Sequence, residues 1–254
     1  MQITIKRAIS FLVLIVYSCG IIAQNNNHDS TNSDKSSSFK FRSLIAPVLL
    51  IGYGVAGFES KDIKRFNIEI RDDVVRNVHG KIKIDDYTQF VPALSVYALN
   101  ICGIKGKNNF IKRSVLLASS YLIAEATVFS LKYSTHVLRP DSSTFNSFPS
   151  GHTASAFVGA EFLWQEYKDV SVWYGIAAYV VATATGVLRM YNNRHWLTDV
   201  AAGAGIGILS TKIVYWVSPY IKKKFFKEKD MHTTTSIVPF YNGKQMGGSV
   251  SITF

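Results

Sequence analysis

Beyond residue 90 the chain alternates long apolar runs with short polar breaks. The runs cover about residues 90–104, 114–131, 154–164, 172–188 and 197–217. Each predicts a helix, and several are rich in Ala, Gly and Ser, which lets helices approach closely within a bilayer. Some fall short of the ~20 residues that a straight span needs, so their ends must extend into polar flanks. The pattern predicts an all-α fold, a multi-span membrane helical bundle of about five to six spans. A short C-terminal β-hairpin follows, signalled by alternating Val250, Ile252 and Phe254 after an Asn242-Gly243 turn.

The N-terminal third has a different texture. Residues 1–24 place Lys6 and Arg7 before an apolar stretch and end in small residues. That is the layout of a signal peptide cut near Ala23, of an uncleaved first transmembrane segment, or of a lipoprotein-type leader cut before Cys19. Residues 25–43, rich in Asn, Ser, Asp and Lys, read as a flexible linker. Residues 44–90 read as apolar or interfacial N-terminal helices. Their first part, 44–58, holds Pro47 and three glycines and predicts a packed, interfacial or re-entrant segment, while 59–90 is charged and predicts a surface helix. The helical core is assigned to 91–221, and the basic tail and hairpin to 222–254.

Charge changes the picture in two ways. The net charge of +11, from 28 basic against 17 acidic residues, suits an anionic partner. Nucleic acid is disfavoured, because the basic residues sit in short clusters between apolar runs. If the five runs all span, Lys105, Lys107, Lys112 and Arg113, then Lys168, then Lys222 to Lys224 and Lys227, fall on one side, which the positive-inside rule makes cytoplasmic. The remaining polar breaks then face outward. Two cysteines, Cys19 and Cys102, build neither a disulfide framework nor a Cys metal site.

Those outward breaks hold the candidate chemistry: Lys132 and Arg139-Pro140, then Pro149-Ser150-Gly151-His152, then Arg189, His195 and Asp199. Lys132 and Arg139 are seven residues apart, two turns if the helix continues to Pro140. With Arg189 they offer two guanidinium forks and an ammonium, suited to a phosphoryl group. Ser150 is a candidate N-cap, and Gly151 admits close backbone approach by an anion at the helix start. His195 and Asp199, spaced i,i+4, predict a carboxylate–imidazole pair on one helix face, with the carboxylate fixing the tautomer. The alternatives are snorkelling cations, an ordinary helix start and a capping pair. His152, His195 and Asp199 would also supply three zinc ligands, but the three cations crowding such a site disfavour a metal.

The three strings together resemble the signature of the type 2 phosphatidic acid phosphatase superfamily, with Leu188 standing where that family usually has Ser. The resemblance covers about residues 110–217. It implies a helical bundle and phosphate-ester hydrolysis without metal or cofactor. His195 would be the nucleophile forming a phosphohistidine, Asp199 would orient it, and His152 would be the general acid and base. Lys132, Arg139, Arg189 and the amides around Ser150 and Gly151 would hold the phosphoryl oxygens. The implied partner is a phosphorylated membrane lipid: lipid A phosphate, undecaprenyl diphosphate or phosphatidylglycerophosphate. The implied place is a bacterial-type cytoplasmic membrane, with the site facing the periplasm or exterior. A soluble exported non-specific acid phosphatase and a catalytically silent lipid-head-group binder are the competing readings.

Overall fold

The structure is a computed structural model that describes residues 41–77, 80, 83–225, 234–241 and 246–253. The expected leader, most of the linker and the Asn242-Gly243 turn lie outside the described residues. The chain divides into two units, Met1–Trp216 and Val217–Phe254.

A 3₁₀ turn, Phe41–Leu44, leads into helices α1 (Ile45–Ala56), α2 (Lys61–Asn77), α3 (Asp85–Thr88) and α4 (Val91–Ile101). The longer helices follow: α5 (Phe110–Thr135), α6 (Gly151–Tyr167), α7 (Val172–Tyr191) and α8 (Leu197–Phe225). Local chemistry sets several starts. The Asn109 side chain accepts from the Lys112 amide at 2.9 Å to cap α5, the Ser171 hydroxyl accepts from the Trp173 amide at 3.4 Å to cap α7, and Pro92 sits in the first turn of α4. In the second unit, strands β1 (Thr234–Tyr241) and β2 (Met246–Thr253) pair antiparallel, with Ile237 opposite Val250.

Helix α6 is the inner element. From Thr153 to Leu163 every residue is buried, on all sides of the helix, so it shows no lipid-facing stripe. Val96 of α4, Phe157 and Phe162 of α6, Ala178 and Ala182 of α7, and Ala201, Ala204 and Ile208 of α8 form the main core. Backbones come very close here. A Cβ on Gly203 would lie 2.4 Å from the Ser150 carbonyl oxygen, and one on Gly207 would lie 2.4 Å from that of Ala154.

Among the described residues, three helices are long and apolar enough to cross a membrane: Phe110–Thr135, Val172–Tyr191 and Leu197–Pro219. A fourth crossing exists if α1 and α2, bent by 92° at the break between them, count as one broken span. Two of the five runs expected to span form helices shorter than a straight crossing needs. Helix α4 is only 11 residues long, and α6 has 17, most of them enclosed by protein. By geometry the bent pair is either a broken span or a re-entrant loop.

The end of the bundle away from the motifs carries charge that the sequence pattern placed in loops. Lys105, Lys107 and Lys112 are exposed, but Arg113 is 1 % exposed, donates to the Asn108 carbonyl at 2.5 Å and lies 3.7 Å from Glu166. It is an internal ion-pair partner rather than a loop charge. Glu166 also accepts from Asn108 and from Tyr215, while Glu161 pairs with Lys212 at 2.8 Å and takes a bond from Tyr179. Buried carboxylates are tolerable when each is paired and hydrogen-bonded in this way.

Candidate active site

Four helix ends meet at one end of the bundle. Helix α5 delivers Lys132 in its last turn and stops at Thr135, because His136 takes a left-handed conformation (φ 48°). The expected two-turn spacing from Lys132 to Arg139 is therefore not helical. Chain reversal at His136 replaces it, and the loop folds back so that the Ser147 amide donates to Val137 O at 2.9 Å. Arg139 extends from this loop, its amide donating to Thr144 O at 3.0 Å, and Lys132 Nζ donates to Asn146 O at 2.5 Å. His136 itself is exposed and stacks near Tyr133, away from any catalytic partner.

Neighbours hold the loop from both sides. Arg71 of α2 donates to Pro140 O at 3.1 Å, Arg194 pairs with Asp141 at 3.0 Å, and the Trp196 indole donates to Leu138 O at 3.0 Å. Asp141 also accepts from the Ser143 amide and hydroxyl.

Ser150 stands at the N-cap of α6, yet its hydroxyl bonds Thr153 Oγ1 at 2.8 Å instead of capping an amide. Its own amide donates to Asp199 O at 3.0 Å, tying the turn to α8. A Cβ on Gly151 would meet only Val128 at 3.7 Å, so protein packing does not demand glycine there.

His195 and Asp199 are together, though not as a helix-face pair. Helix α8 begins at Leu197, so His195 lies in the preceding bend. The i,i+4 rule does not apply across that turn. His195 Nδ1 is 3.6 Å from Asp199 Oδ2 and has no hydrogen-bond partner. Asp199 Oδ2 instead accepts from Ser147 Oγ at 2.5 Å and from the Trp196 amide at 2.9 Å. The second bond is the return half of a capping box, which fixes the start of α8.

Arg189 ends α7. It is buried and pairs with Asp85 of α3, which also accepts from Asn192 at 3.1 Å. The adjacent Asp86 bonds His152 Nε2 at 2.9 Å and lies 3.9 Å from Arg189. Neither aspartate stood out in the sequence, since no motif contains them and 59–90 reads as surface. The available signal was two carboxylates just before an apolar run whose start faces the motif side. Leu188 is half-buried.

Electrostatics follow from this crowding. Lys132, Arg139, Arg189 and Asp199 lie close enough for their charges to interact, and His195 feels Lys132, Arg189 and Asp199. Burial, with the two cations adding to it, pushes the His195 imidazole down to about 4, against the pull of Asp199. His152 is also lowered, by burial first and Arg189 second, with Asp86 opposing. Three buried nitrogens lack a partner at this end: Arg139 Nε, Arg189 Nε and His195 Nδ1. Among the described residues no group of three His, Cys, Asp or Glu is placed to hold a metal ion.

Residues 113–223 match the sequence profile of the PAP2 superfamily. Over 140 residues, 55 % of the chain, it is 42 % identical to a lipid A 1-phosphatase of Porphyromonas gingivalis, covering 32 % of that protein. Over 74 residues, 29 % of the chain, it is 39 % identical to the bacitracin transport permease protein BcrC of Bacillus licheniformis, covering 34 % of that protein. The chain thus spans about a third of the length of the curated relatives it matches. The PAP2 fold is shared with the crystal structure of a transmembrane PAP2-type phosphatidylglycerolphosphate phosphatase from Bacillus subtilis, at a TM-score of 0.53 and 23 % identity over 72 % of this chain and 99 % of that one. Together with the three apolar helices, this makes the chain a membrane protein.

Proposed function

We propose that the protein is a metal-independent phosphatase acting on a membrane lipid phosphate or diphosphate, with its site at the outer face of a bacterial-type cytoplasmic membrane. The observation that carries this reading is the meeting of Lys132, Arg139, Arg189, His152 and His195 at one bundle end, where Arg139, Arg189 and His195 each keep a buried nitrogen without a partner.

Asp199 lies beside Nδ1 of His195, which leaves Nε2 to attack phosphorus. The N–P bond forms as the bond from phosphorus to the lipid oxygen breaks, and His152 gives its proton to the leaving oxygen. A water then loses its proton to His152 and attacks the phosphohistidine, releasing inorganic phosphate and restoring His195. Lys132, Arg139 and Arg189, with the amides around Ser150 and Gly151, stabilise charge on the phosphoryl oxygens throughout. The exposed lysines at the opposite end support an outward-facing site.

Among head groups, lipid A 1-phosphate has the support of the Porphyromonas gingivalis relative, and undecaprenyl diphosphate and phosphatidylglycerophosphate remain as comparison substrates. The purified protein is expected to release phosphate from a generic phosphomonoester, unaffected by chelator and inhibited by vanadate. His195→Ala should remove turnover while leaving thermal unfolding unchanged. Turnover near wild type in that variant would overturn the assignment.

A further inference from the structure

Resting on that reading of the site, we infer that Glu125 forms a second recognition point for the lipid, beneath the phosphate. It would select substrates that carry hydroxyl or amide N–H donors in their acyl region.

Glu125 lies in the membrane-crossing helix α5, within the stretch Phe110–Thr135. It shares a face with Leu122 (i−3) and Phe129 (i+4), each 72 % exposed, so the carboxylate opens onto the lipid-facing side of the helix. An acidic group there is costly and is retained where it has a partner or a task. The protein gives it one bond, from Ser155 Oγ at 2.7 Å. Ser155 follows His152 by three residues on α6, and Tyr121, one turn below Glu125 on α5, donates to Ser155 O at 3.3 Å. Tyr121, Glu125 and Ser155 therefore make a polar notch in the seam between α5 and α6, directly under the proposed acid.

The depth decides what the notch can meet. Glu125 precedes Lys132 by seven residues, two turns on nearly the same face, or about 10 Å along the axis. A lipid whose phosphate is held by Lys132 has its first acyl atoms at that level. Glu125 already acts as an acceptor here, taking a bond from Ser155 Oγ, and its remaining oxygen lone pairs accept as well. Polyprenyl chains offer it nothing, and glycerolipid ester carbonyls are acceptors too. An N-acylated, hydroxylated lipid supplies matching donors.

The test compares kcat/KM on lipid A and on ceramide 1-phosphate, which both bear donors, with undecaprenyl diphosphate, which bears none in its chain. In Glu125→Leu the ratio of either donor-bearing lipid to undecaprenyl diphosphate is expected to fall about tenfold, the worth of one hydrogen bond to a charged group. Glu125→Gln, which keeps an acceptor, should lose less. A fall for lipid A alone assigns the notch to saccharolipids, and a fall for both assigns it to amide-linked acyl chains in general. Unchanged ratios in Glu125→Leu overturn the inference, whether both activities fall together or neither does. Vanadate inhibition in the same variants reports whether the phosphate cradle is intact. Wild-type protein that hydrolyses no phosphoester at all overturns the proposed function itself. Wild-type turnover with unchanged ratios removes only the notch.

Discussion

A histidine buried beside two cations loses its proton early, and that fixes how the site should respond to pH. In the proposed mechanism His195 must be neutral to attack, and with its imidazole pushed down to about 4 it is neutral over nearly the whole working range. His152 must be protonated to act as an acid, and its imidazole lies below its ordinary value. kcat/KM should therefore rise as pH climbs through about 4 and fall again below neutrality, giving an acidic optimum. Asp86 is the stronger of the two carboxylates that raise His152, so Asp86→Asn should move the basic limb to lower pH. Substrate titration is common to both proteins, so the difference between their pH profiles isolates His152. Asp85 predicts a stability effect. Asp85→Ala leaves the Arg189 guanidinium buried without its carboxylate, a loss of about 3–5 kcal/mol. Its melting temperature should fall more than that of Asp86→Ala, since Asp86 is half-exposed, and vanadate should restore part of the loss.

Helices carry the site through their ends, and those ends depend on close backbone contact. Gly203 of α8 faces the Ser150 carbonyl, so Gly203→Ala must push the turn before α6 away from Asp199. Thermal unfolding should show a loss of about 1–3 kcal/mol, with kcat falling as well because His152 stands in the first turn of α6, just past the displaced Ser150. At this scale the sequence was largely readable. The apolar runs marked α4 to α8, and the three motifs fell at their ends as expected. What escaped was the geometry between motif residues. Helical spacing was assumed for Lys132–Arg139 and for His195–Asp199, but a left-handed residue at His136 and a bend at His195 interrupt both. Asp85 and Asp86 were invisible for another reason. They lie 104 positions from Arg189 and 66 from His152, on a four-residue helix without periodicity.

Across the whole molecule, polar groups divide between two ends, and the division gives a topology test. Cys102 is free and exposed just after α4, on the end that carries Lys105 and Lys107. In a Cys19→Ser background, a membrane-impermeant thiol reagent should label it only after the cytoplasmic membrane is permeabilised. Labelling in intact cells would reverse the proposed orientation.

On the proposed function, the aspartates of α3 would make the resting site an anion exchanger. Arg189 and His152 already hold carboxylates, so an incoming anion must displace a tethered, local competitor rather than fill a vacant charge. A halide offers one weakly held charge and exchanges poorly. In the proposed function a phosphoryl group would bring several oxygens that also engage Arg139 and Lys132, and so would win the exchange. Product phosphate, once detached from its lipid, is opposed by the same carboxylates as they return.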